Sequence, residues 1–167
     1  VNDSLPFPAK DGSGLVAFKN KMWLLGGWDP PFHEPNYTHN EVWSSIDGEN
    51  WNFEINADWP PRHCAAWLSN DDNIWVIGGD PQSGCLTDVW KSSDGINWDQ
   101  IIDTIPGYFK RNMPNYAILN DKLTLFGGEQ CSGLGLNDVW QSNDGSTWTQ
   151  LPDAPWLGRG MQINSCV

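Results

Sequence analysis

The stretch DVWKSSDGINW, residues 88–98, occurs two more times in variant form: EVWSSIDGENW fills 41–51 and DVWQSNDGSTW fills 138–148. Other marks keep the same step. Gly-Gly pairs begin at 26, 78 and 127, spacings of 52 and 49, and Val-Trp pairs begin at 42, 89 and 139, spacings of 47 and 50. A basic residue stands 16 positions before each first Gly, as Lys10, Arg62 and Arg111, and Arg159 opens the pattern once more. A constant period near fifty residues is the signature of a repeat architecture. The chain therefore divides into three full units, approximately 10–58, 59–108 and 109–156, and the first strand of a fourth, 159–167, all within one domain, 1–167.

Each unit reads as four short strands. The first follows the basic residue (GLVAFKN, HCAAWLS, NYAILN). The second is a nearly continuous apolar run ending in Gly-Gly (KMWLLGG, NIWVIGG, KLTLFGG), as expected of strands buried on both faces. The third is the Val-Trp segment, and the fourth starts at the closing Trp (WNFEI, WDQII, WTQL). Between third and fourth stands Asp-Gly, which suits a tight hairpin turn with positive φ. Nothing predicts a helix of useful length. Four-stranded units at this period point to the blades of a β-propeller.

Composition narrows the partners. Twelve Trp, 17 Gly and 12 Pro in 167 residues fit a turn-rich all-β protein. A net charge of -12 with only 9 Lys and Arg argues against phosphate-mediated nucleic-acid binding and against attraction to anionic membrane. No apolar run approaches the ~20 residues that span a bilayer, so membrane insertion is not expected. The sequence shows no signal peptide and starts at Val1, which fits either a removed leader or a piece of a longer reading frame. Four cysteines without CxxC spacing are poor zinc ligands. In an exported protein, periplasmic or secreted, they could pair.

Basic residue, strand, Gly-Gly, variable loop, Val-Trp and closing Trp together resemble the kelch repeat over residues 10–167. The phrases DVWxSxDGxxW and APWxxR, here APWLGR at 154–159, are similar to bacterial kelch and galactose-oxidase-like propellers. The resemblance implies radial four-stranded blades around a central channel. Two positions depart from it: Lys10 replaces Arg, and Thr124 stands where the other units have Trp23 and Trp75. The turn phrase also resembles the Asp-box of sialidase-like propellers, with one residue fewer between Asp and Gly.

The turn phrase is read as scaffold. Asp47, Asp94 and Asp144 can accept bonds from their own turns, Ser45, Ser92 and Ser142 can add more, and Gly48, Gly95 and Gly145 take the positive φ. Trp51, Trp98 and Trp148 then anchor each turn between blades. Gly-Gly without a following GxGxxG-type helix is no phosphate cradle. For Arg62, Arg111 and Arg159 the resemblance implies bridging between adjacent blades; a ligand-facing role keeps them among the candidates.

Function must then lie in what does not repeat. The loops between second and third strands, 28–40, 80–87 and 129–137, share one end with the connections that carry the arginines, opposite the Asp-Gly turns. Loops on a rigid scaffold concentrate binding groups. The candidates at this end are Trp28, Asp29, His33, Glu34, Arg62, Asp80, Arg111, Glu129 and Arg159, with Trp28 and Trp156 as surface aromatics. His33, Glu34 and His39 share a Pro-rich loop without metal-ligand spacing, and no metal or other cofactor is expected. The copper ligands of galactose oxidase do not map onto this chain. His63 and Cys64, adjacent in a strand, are expected on opposite faces, which leaves no nucleophile–base pair. Cys85–Cys131, Cys64–Cys85 and free buried thiols all remain open.

The resulting expectation is a kelch-type propeller module that recognises a glycan or a protein through one face. The rival is a carbohydrate-active enzyme of the sugar mutarotase or galactose-oxidase-like kind, and no catalytic residue is assigned. Three blades leave sheet edges unpaired. A homodimer closing a six-bladed ring is the expected remedy.

Overall fold

The computed structural model describes residues 5–29 and 38–160. The chain is all-β, with no helix among the described residues. Three four-stranded antiparallel sheets follow one another along the sequence. The first holds β1 (Gly14–Phe18), β2 (Lys21–Leu25), β3 (Glu41–Ser45) and β4 (Asn52–Asn56). The second holds β5 (Ala66–Ser69), β6 (Ile74–Gly79), β7 (Leu86–Ser92) and β8 (Asp99–Ile102). A short β9 (Arg111–Asn112) precedes the third, built from β10 (Asn115–Leu119), β11 (Lys122–Phe126), β13 (Val139–Ser142) and β14 (Thr149–Leu151). The short β12 (Glu129–Gln130) pairs with β9. Strands lie in chain order within every four-stranded sheet, and the first strands β1, β5 and β10 adjoin across the stack.

The three-unit, four-strand expectation therefore holds, while the extra strand at 159–167 lies almost wholly outside the described residues. Three details differ. The second unit's first strand begins at Ala66 rather than His63, because Cys64 takes a φ of 53° and bends the chain before it. The Asp-Gly glycines take the expected positive φ of 78–82°, but the turns they belong to are six-residue connections, such as 46–51, longer than a tight hairpin turn. Among the described residues only β6 is buried along its whole length, because there only the second sheet has a sheet on both faces.

That coverage is split by strand alternation. One core joins Val16, Phe18, Trp23, Leu25 and Val42 of the first sheet to Trp67, Ile74, Val76, Trp90 and Trp98 of the second. The other joins Ala66, Leu68, Trp75, Ile77 and Val89 to Leu123, Leu125 and Trp140 of the third. Trp98 is thus buried between sheets as expected, and Trp148 is half-buried beside the second core. Trp51 instead meets Phe7, 5.5 Å away, on a side where no described sheet lies.

The turns match the expected chemistry. Ser45, Ser92 and Ser142 each accept a 2.8 Å bond from the turn glycine N–H. Asp47 accepts from the N–H groups of Glu49 and Asn50, Asp94 from Ile96 and Asn97, and Asp144 from Ser146 and Thr147. Gly95 has a second reason to be glycine, because a Cβ there would overlap the Trp23 ring of the preceding sheet; at Gly145 a Cβ would come 2.6 Å from Trp75.

Two outcomes follow from this geometry. Gly95→Ala should lose about 2–5 kcal/mol, from positive φ plus overpacking. Gly84→Ala has a similar φ of 96° but open space around it, and should lose only about 1–2 kcal/mol. Urea denaturation of both variants checks the difference.

Burial opposes ionisation of Asp94, but bonds from Asn97 and Ile96 outweigh it; bonds from Thr147 and Ser146 act on Asp144; both carboxyls come down from 3.8 to about 2. Their folded pKa lies below the unfolded value, so the stability they add is complete above pH 4 and is lost as pH falls towards 2. Asp94→Asn/Asp144→Asn should flatten thermal stability across that window relative to the parent chain.

Candidate functional site

The basic residue of each unit is internal. Arg62 is 0% exposed and forms a fork with Asp88, at 2.7 and 2.8 Å, while Nη1 also donates to the Gly78 carbonyl and Nε to that of Pro60. Arg111 repeats this with Asp138, Gly127 O and Phe109 O, at 1% exposure. The Trp of each Val-Trp pair completes the group: Trp90 donates to Asp88 and Trp140 to Asp138. In the first unit Lys10 meets Glu41 at 2.5 Å and Trp43 donates to the same carboxylate oxygen. Burial works against ionised Asp138 and Glu41, yet the facing cation and the indole N–H hold both carboxyls below their ordinary values. For Arg62 and Arg111 the bridging reading leads and a ligand-facing role is the lesser alternative. Both side chains are buried, with four of five guanidinium donors bonded to carbonyls and a carboxylate within the chain, which leaves them no part in facing a ligand. Arg159 is exposed, its guanidinium beside Trp156, which is 41% exposed.

What the buried cations position is a rim. In each unit the residue after the basic one bridges to the residue after Gly-Gly: Asp11 with Trp28, His63 with Asp80, Asn112 with Glu129. The next residue along is left-handed in all three units, as Gly12, Cys64 and Met113. These links continue between units, with Cys64 N–H donating to Gly12 O and Met113 N–H to Cys64 O. Six side chains of one structural kind, Asp11, Trp28, His63, Asp80, Asn112 and Glu129, are thereby set along one end of the stack.

Three of the expected residues, Trp28, Asp80 and Glu129, occupy equivalent rim positions. Trp28 lies 6.1 Å from the His63 ring, and His63 Nε2 lies 3.7 Å from an Asp80 oxygen. Asp29 is turned inward, 4% exposed, with Oδ1 3.0 Å from His39 Nε2 but out of hydrogen-bond alignment. His33 and Glu34 lie outside the described residues. Sequence reasoning missed Asp11 and His63 as rim groups; their shared offset from the basic residue was the available signal. It also missed Glu41, Asp88 and Asp138 as partners of the buried cations, although an acid precedes every Val-Trp pair.

The Cys85–Cys131 alternative is the one formed, joining the loops of adjacent units with Cα atoms 6.1 Å apart. Cys64 is free. Its left-handed bend overturns the opposite-faces expectation, because Sγ comes 3.2 Å from His63 Nδ1. Burial, together with Asp11 and Asp80, pushes this thiol up to about 12, which disfavours a nucleophilic thiolate. Among the described residues no three potential metal ligands gather into one site.

Compared with models of known protein families, the sequence matches none.

Removing one partner from the buried fork leaves the other charge uncompensated. Asp88→Ala should therefore cost about 3–5 kcal/mol. Lys10→Ala should cost less, because Glu41 is 26% exposed and can hydrate. Chemical denaturation of the two variants ranks them.

Proposed function

We propose that the chain is a kelch-type β-propeller module, and that it recognises a glycan at the rim through Trp28, His63, Asp80 and Asp11. The observation that carries this reading is the Trp28 ring set beside the His63–Asp80 pair. An indole offers a flat apolar surface to a sugar face, and neighbouring carboxylates accept bonds from sugar hydroxyls. Small-molecule sites combine these two ingredients. The module reading draws support from three repeated four-stranded sheets whose first strands adjoin. A second copy of the chain closes the ring, giving six sheets, within the roughly 4–8 typical of such rings.

A protein partner would use the same loop end. The catalytic reading, a sugar mutarotase-like or oxidase-like activity, draws on one observation, the Asp80 carboxylate 3.7 Å from His63 Nε2, since a carboxylate beside an imidazole places two acid–base groups within reach of one ligand. Binding and turnover separate under one assay series. A glycan array followed by NMR titration should give saturable shifts at the Trp28 indole, and Trp28→Ala should weaken binding at least tenfold with an unchanged melting temperature. Conversion of the bound sugar, abolished by His63→Gln, would favour the enzyme instead. Absence of any glycan binding would leave the protein partner.

A further inference from the structure

Every internal junction between sheets uses the same joint. A sheet's front, the side facing its C-terminal neighbour, projects a Trp from its second strand onto the turn glycine of the next sheet: Trp23 onto Gly95, Trp75 onto Gly145. Two faces lack such a neighbour among the described residues. On the back of the first sheet, Leu15, Leu24, Trp43 and Phe53 form one cross-strand row, with Leu15 63% and Phe53 48% exposed and only the Phe7 ring, 5.3 Å from that of Trp43, packed on it among the described aromatic rings. On the front of the third, the corresponding row is Ala117, Thr124, Gln141 and Thr149, with Leu119 54% exposed nearby.

In the closed-ring reading these faces would be the two halves of one junction, and the joint between them is altered on both sides. Thr124 stands where the knob Trp would be and is covered by Gln141, whose Nε2 donates to its hydroxyl at 3.1 Å. A cavity opens beside it, lined by Lys122, Gln141, Asp144, Thr147 and Thr149. On the receiving side, the Met22 methyl reaches over Gly48, where a Cβ would sit 3.1 Å from it. The charge pattern also changes. Glu41 is 26% exposed where Asp88 and Asp138 are 6% and 11%, and Arg159 makes no ion pair among the described residues. Arg159 is already seated as a unit start: its carbonyl accepts from Gly128 N–H, as that of Arg62 accepts from Gly27 N–H.

We propose that a second copy of this chain seats the back of its first sheet on the front of the third, reciprocally about a twofold axis, and that this seam replaces the Trp–Gly joint with Arg159 of one copy facing Glu41 of the other. The proposal rests on the closed-ring reading above. The seam is weaker than the internal junctions and more sensitive to salt, because it exchanges indole burial for an exposed ion pair.

Sedimentation equilibrium across a range of concentrations tests it on four chains: the parent, Met22→Ala, Met22→Ala/Thr124→Trp, and Arg159→Ala. The expected species is two copies. Restoring the knob over an emptied socket should lower the dimer Kd at least tenfold relative to Met22→Ala. Arg159→Ala, an exposed position that leaves the folded core intact, should raise Kd severalfold and reduce its salt dependence. A parent dimer whose Kd ignores both changes would keep the ring and overturn the seam. A chain that stays monomeric in all four forms would overturn both, and an open ladder of higher masses would overturn the twofold arrangement.

Discussion

A buried guanidinium has to be answered where it lies, and that requirement organises this protein. Arg62 enters from the connection between two sheets, yet its partners belong to the second sheet: the Asp88 carboxylate at β7 and the Gly78 carbonyl at the end of β6. Its own backbone carbonyl is bonded by Gly27 of the first sheet, and its backbone N–H donates to His39 O. One residue therefore fixes the distance between two sheets, the exit of the second strand and the start of the third. Replacing such a pair by apolar groups need not destabilise a protein, so its value here is register rather than net energy. The first unit shows the lesser version. An ammonium is a point charge without a fork, and the Gly26 carbonyl is left to a 3.3 Å bond from Ser13.

The rim inherits its precision from these pairs. Each left-handed residue at Gly12, Cys64 and Met113 turns the chain sharply enough for its predecessor to bridge back to the residue after Gly-Gly. For a non-glycine residue this conformation costs about 1–2 kcal/mol, and two of the three accept it. Strain retained at repeated positions is stable only where the surroundings over-determine the backbone. The inter-unit bonds at Cys64 and Met113 provide that determination.

Much of this was legible in the residues themselves. Period, strand order and turn chemistry all follow from the Gly-Gly, Val-Trp and Ser-x-Asp-Gly marks, because each mark has a local physical cause. What escaped was long-range. Asp88 and Asp138 precede a Val-Trp pair and read as ordinary polar strand positions until Arg62 and Arg111 arrive from 26 and 27 residues away. Alternation along β6 shows two faces but not which neighbour each one meets. Cys64 reads as strand because nothing in its type announces a positive φ. The loops do share one end with the connections that carry the arginines, but their side chains sort by backbone geometry: Trp28 and Asp80 onto the rim, Asp29 inward, Arg62 into the core.

The rim site and the ring seam are also separable. Trp28 belongs to the first sheet's loop, and His63 and Asp80 belong to the second unit, so the proposed site spans the junction between the first and second sheets. That junction is complete within one chain, with its own core around Trp59, Trp67 and Trp98 and its own Trp23–Gly95 joint. The seam would join the third sheet to another copy's first. A single chain therefore holds a full copy of the site whatever its association state. Closure would add stability and a second equivalent site, and the two would act together only on a partner able to reach both.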